Sequence, residues 1–171
     1  LIPGAVRGAL LVREKESGKL TIRASIPADS PPISRTLIRR AALEQSGFIW
    51  EDSATGQQDL TASMAAIGIR TGMYAPLIWN EEAIGVIFVD NPKRRGAFNE
   101  DDLQFLLSVA HYAAASVANQ MLQEEIQQNN KTLQHLLANF SPKIRDRLLQ
   151  KSREGKLQPG GEKSDVTILL S

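Results

Sequence analysis

No proline or glycine interrupts the chain from Asn99 to Ser141. A helix of about 40 residues would span roughly 60 Å, longer than one small domain. Asn99 can cap it, and Glu100, Asp101 and Asp102 complement the positive end of the helix dipole. The apolar pattern then changes along the stretch. Leu103, Leu106, Leu107, Ala110, Ala113, Ala114 and Val117 form a broad stripe, as expected for a helix lying on a sheet. From Leu122 onward the stripe narrows to Leu122, Ile126, Leu133, Leu136 and Phe140. With Asn129 counted, these fall on alternating four- and three-residue steps. That is a coiled-coil seam with one polar position. The competing reading folds the extra helix back on the same domain. The Gln-, Glu- and Asn-rich remainder offers no second burial surface, which favours the seam.

The 171 residues suffice for one domain with an appendage, at roughly 100–200 residues per domain. Hydrophobic residues are 42% and charged residues 23%, which argues against global disorder. Twenty Lys and Arg against nineteen Asp and Glu leave no whole-chain field for nucleic acid or anionic lipid. No cysteine is present, which excludes disulfides, thiolate metal sites, a cysteine nucleophile and a thioether-linked chromophore. No apolar run approaches the ~20 residues of a membrane span. The residues after Leu1 lack the basic start and apolar core of a signal peptide. A soluble, cytoplasmic protein is expected.

The first half reads as strands. Gly8–Arg13 and Leu20–Ile26 flank a charged turn containing Ser17 and Gly18, and make a hairpin. Ser34 caps a helix over 35–45 with Leu37, Ile38, Ala41 and Ala42 on one face, and Gly47 stands just past its end. Phe48–Trp50 is a short strand. A loop follows, then a short helix over Thr61–Ile67. Met73–Trp79 and Ala83–Asp90 form a second hairpin. Pro76 suits an edge or a bulge in it, and the very apolar Ala83–Asp90 run belongs at the sheet centre. Ser141 and Pro142 break the long helix. Lys143–Gln150 is a short amphipathic piece with Ile144, Leu148 and Leu149 inward. The run 165–170 reads as the opening strand of a further domain.

Gly8–Arg13, Ile33–Leu37, Ile67–Thr71, Ala75–Ile78, Ile84–Asp90 and Phe98–Leu106 stand in the order of a GAF domain. The chain resembles that family from Gly8 to about Val117. The resemblance implies an α/β (α+β) fold with a central antiparallel sheet, flanking helices and a long C-terminal helix. Leu136–Pro142, Leu148 and Leu149, and then Gly160–Leu170 resemble the junction into class III adenylate/guanylate cyclases. The expected organisation is a GAF sensor over 1–118, a coiled-coil signalling helix over 119–141, and over 142–171 a linker with the first strand of a cyclase domain. In that family the first metal-binding aspartate follows the first strand. The chain itself needs no cofactor on this reading, and the parent would use a divalent metal such as Mg. Expected partners are a second copy in a homodimer, a cyclase domain in cis, and a small molecule or cyclic nucleotide. Nucleic acid and membrane are not expected.

No catalytic constellation stands out. His111 and His135 lie about 36 Å apart along one helix and cannot share a metal. His111 reads as a half-buried helix residue and His135 as solvated. Lys93, Arg94 and Arg95 read as a solvated turn. Ser141–Lys156 is basic but lacks aromatics to stack bases. The GAF resemblance places a ligand cavity near Phe48, Trp50, Ser63, Met64, Arg70, Thr71 and Tyr74. Arg70 with Ser63 and Thr71 could hold a polar or anionic ligand while Phe48 and Tyr74 stack a ring. The competing reading makes Phe48, Trp50, Met64 and Tyr74 plain core. GAF domains that bind cyclic nucleotides resemble this chain only in part. Pro92 follows Asn91 where Lys is usual, Phe98 and Asp102 match, and Leu103 replaces a Glu.

Overall fold

The computed structural model describes residues 2–28, 32–52, 68–138 and 140–155. Its elements are β1 (Arg7–Arg13), β2 (Leu20–Ile26), α1 (Arg35–Glu44), β3 (Phe48–Glu51), β4 (Thr71–Trp79), β5 (Glu82–Asn91), α2 (Glu100–Ala138) and α3 (Pro142–Arg153). The short helix expected over Thr61–Ile67 and the strand expected over 165–170 lie outside the described residues. The chain divides into two compact units, Leu1–Leu122 and Gln123–Ser171.

In the first unit the strands form an antiparallel sheet of order β2-β1-β5-β4-β3. The apolar strand β5 takes the centre, as its composition demands. Pro76 sits in the interior strand β4, but β3 pairs with β4 only as far as Phe48 opposite Tyr74. Pro76 therefore faces no β3 partner, and a bulge follows between Leu77 and Ile78. A strand's alternation divides the sheet into two apolar faces. One face carries Leu11, Tyr74, Val86 and Phe88, and is covered by Leu37, Ile38, Ala41 and Ala42 of α1. The other carries Met73, Ala75 and Leu77, and is covered by Leu103, Leu106, Ala110 and Ala114 of α2.

The helix caps follow from the sequence. The Ser34 hydroxyl accepts from the Leu37 N–H at 3.3 Å. At α2, Asn99 Oδ1 accepts from the Asp102 N–H and Asp102 Oδ2 accepts from the Asn99 N–H, both at 3.0 Å, a reciprocal cap. The left-handed stop of α1 is Gln45, at φ 50°, and not Gly47. Gly47 lies against α2. A Cβ there would lie 2.8 Å from Leu107 of α2. His111 is exposed rather than half-buried, its ring edge-on to Tyr112.

In the second unit α2 continues to Ala138 and α3 starts at Pro142, with proline at the first helical position where no N–H is needed. The helix thus ends before Phe140, whose N–H bonds the Leu137 carbonyl at 3.1 Å. Phe140 therefore does not occupy a helical position, contrary to the sequence reading. Ile144 is exposed at 49%, also contrary to expectation, while Leu148 and Leu149 are half-buried.

Candidate functional site

Of the expected ligand residues, Ser63 and Met64 lie outside the described residues. Phe48, Trp50 and Tyr74 come together on the α1 face of the sheet. Phe48 and Tyr74 are register partners, and so are Tyr74 and Phe88. Their rings stack in a column, with centroids 5.4 and 5.6 Å apart. The Arg40 guanidinium lies 4.4 Å from the Phe48 ring centroid. Both faces of Tyr74 are thereby covered by aromatic rings, and one face of Phe48 by Arg40. The slot between Phe48 and Tyr74 expected to take a ligand ring is closed, because the rings stack on one another.

Tyr74 is fully buried, and among the described residues its hydroxyl finds no hydrogen-bond partner. Burial holds its phenol well above the ordinary range, with the nearby Asp90 charge adding to the effect. Gly72 makes room for it, since a Cβ there would meet the Tyr74 ring edge at 3.1 Å.

Thr71 is not part of this group. It stands two residues before Met73 in an unbroken stretch of β4, so it shares the α2 face. Its buried hydroxyl is also without a partner among the described residues. Arg70 is half exposed, and its Nη1 donates to Asp52 Oδ2 at 3.0 Å. Arg95 donates to the same oxygen at 3.1 Å. Arg95 is therefore anchored rather than part of a free solvated turn. The two arginines, Arg95 first, hold the Asp52 carboxyl below its ordinary range. Glu51 Oε1 accepts from the Gly96 N–H at 2.7 Å, so the segment after β5 is tied to the end of β3 twice.

The charged pair that the sequence reading missed is Arg7 with Asp90. Asp90 is fully buried and receives both Arg7 Nε, at 2.7 Å, and Arg7 Nη2, at 3.1 Å. Burial pushes the Asp90 carboxyl above its ordinary range, against the pull of Arg7. The only signal for it was a carboxylate at the end of an apolar strand run. Among the described residues no group of three or more His, Asp or Glu could hold a metal.

The large exposed apolar side chains of α2 form a second feature. Phe105, Tyr112 and Leu122 are exposed in the first unit, and Ile126, Leu133 and Leu136 in the second, between 47% and 76%. By number they occupy the a and d positions of one heptad frame, with Phe105, Tyr112, Ile126 and Leu133 at a and Leu122 and Leu136 at d. Asn129 falls on the same frame. Phe105 and Tyr112 were missed because neighbours such as Leu103 and Leu106 belong to the stripe that packs on the sheet. No described helix is long and apolar enough to cross a membrane.

A GAF-domain family model matches residues 4–118. The fold is similar to the GAF-domain region of a Geobacter sulfurreducens protein, at 24% identity and TM-score 0.55, covering 67% of this chain and 82% of that one. It is similar to the GAF domain of a two-component sensor histidine kinase from Bacillus halodurans, at 18% identity and TM-score 0.55, covering 70% and 86%. It is also similar to a type II free methionine-R-sulfoxide reductase from Thermoplasma acidophilum, at 21% identity and TM-score 0.55, covering 68% and 80%. No curated protein matches the chain.

Proposed function

The chain belongs to the GAF family, and from that premise we propose that it is the regulatory sensor and dimerisation module of a bacterial adenylate or guanylate cyclase. Two copies pair in parallel through α2, and a small-molecule signal at the GAF domain is relayed through the helix pair to cyclase domains that act as a dimer. The single observation that carries this reading is the exposed heptad stripe of α2. Burying one such large apolar side chain is worth about 1.5–3 kcal/mol. Six of them on each protomer offset the roughly 4–15 kcal/mol that association costs. Leu122, Ile126, Asn129, Leu133 and Leu136 make the seam. The order of residues from Leu136 to Leu170 supports the link to a cyclase. The fold similarity to a sensor histidine kinase domain supports the signalling role.

The ligand, on this reading, is small and polar. Trp50, Arg70 and the Tyr74 hydroxyl, unpartnered among the described residues, remain as contacts, with Ser63 and Met64 the further candidates. The closed aromatic column favours a second reading, in which the domain binds nothing and serves as a dimerising spacer. Thermal unfolding with cyclic AMP, cyclic GMP and a metabolite panel separates the two. A true ligand at 100 times its dissociation constant adds about 2.7 kcal/mol to stability. A dimer that no compound stabilises is the spacer.

A further inference from the structure

At the β2 end of the sheet, the far end from Phe48, helix α1 and the β1–β2 hairpin border an open groove of about 970 Å³. Its floor is apolar. Leu11 is buried, Ile22 is its register partner, and Ile38 comes from the buried face of α1. Its rim is cationic. Lys19 directly precedes β2, and Arg35 and Arg39 stand one turn apart on α1. The described lining holds no acidic residue, although the chain as a whole has 19 acids for 20 Lys and Arg. Arg13 also reaches the groove, but its Nε donates to the Ala83 carbonyl at 3.2 Å. Among the described residues no carboxylate pairs with Lys19, Arg35 or Arg39. Like charges four residues apart on a helix repel. Among the described residues that repulsion stands unrelieved, beside an apolar floor.

We propose that this groove binds a monomeric single-chain alkyl anion, a fatty carboxylate or an alkyl phosphate. Its tail lies over Leu20, Ile22 and Ile33, above the buried Leu11 and Ile38, and its head sits among Lys19, Arg35 and Arg39. The volume falls within the roughly 300–1,000 Å³ of small-molecule sites. A stable protein partner would need about 800 Å² of surface on each side. The apolar floor selects an amphiphile over a bare anion, and the rim selects the anion over a neutral lipid.

The test is calorimetric titration of the whole chain with decanoate below its micelle concentration, beside decanol, inorganic phosphate and anionic phospholipid vesicles. The proposal predicts saturable binding of decanoate, with decanol and phosphate each weaker. Arg35→Gln with Arg39→Gln should weaken decanoate roughly tenfold or more, the size expected for lost charged hydrogen bonds. Arg35→Lys with Arg39→Lys should retain most of it. Should the Gln pair fail to fold, Lys19→Gln, outside the helix, reads the same loss. Absence of saturable decanoate binding, binding indifferent to the Gln substitutions, phosphate bound as well as decanoate, or binding to vesicles alone would each overturn it.

Discussion

Asp90 is fully buried and depends on Arg7 for its charge. Breaking a buried pair leaves an uncompensated ion, a loss of about 3–5 kcal/mol. Arg7 is 14% exposed, which places Asp90→Ala near the low end, about 3 kcal/mol, in denaturant unfolding. Asp52 and Asp90 also respond to pH in opposite senses. The folded Asp52 carboxyl lies below its ordinary 3.8, so its stabilisation is present above that value and is lost as pH falls through the lowered one. The folded Asp90 carboxyl lies above 3.8, so folding is favoured most at low pH and less as pH rises through the raised value. Asp52→Asn should therefore lessen the loss of melting temperature as pH falls below about 4. A profile as steep as that of the parent protein would refute the Asp52 assignment. The buried face of α1 was legible because Leu37, Ile38, Ala41 and Ala42 repeat at helical spacing. The Arg7–Asp90 pair was not legible. Its members are 83 residues apart and meet only because β1 and β5 pair in that register.

At the scale of elements, all five described strands and the caps of α1 and α2 could be read from the chain, because alternation and cap chemistry are local. What failed depended on neighbours. Arg70, Thr71 and Tyr74 are close in sequence, yet β4 turns Thr71 and Tyr74 to opposite faces. Phe48 and Tyr74 were offered to a ligand, yet the strand register stacks them on each other. Gly47 was read as the residue just past α1, and the left-handed stop itself is taken by Gln45. The seam was partly legible. Its C-terminal part stood clear, and Phe105 and Tyr112 were hidden among residues facing the sheet. Asn129 is the one polar side chain assigned to a core position of the Leu122–Leu136 seam. Such an Asn fixes register at a cost in stability. Asn129→Leu should therefore raise the melting temperature of the dimer by several degrees for each kcal/mol gained, as expected for a domain of this size. An unchanged melting temperature in a confirmed dimer would remove Asn129 from the seam.

At the scale of the whole molecule, a GAF domain is followed by a helix whose exposed apolar residues keep one heptad frame. In the proposed account a second copy covers them, and the ligand binds on the sheet face opposite that helix. Replacing Ile126 and Leu133 together with Asp would place charges in the seam and should return the chain to monomer without unfolding the GAF domain, as read by circular dichroism. The most direct test is sedimentation equilibrium of the unaltered chain across a wide concentration range. The account predicts a dimer that the Asp pair abolishes. A single protomer persisting at the highest concentration would contradict it.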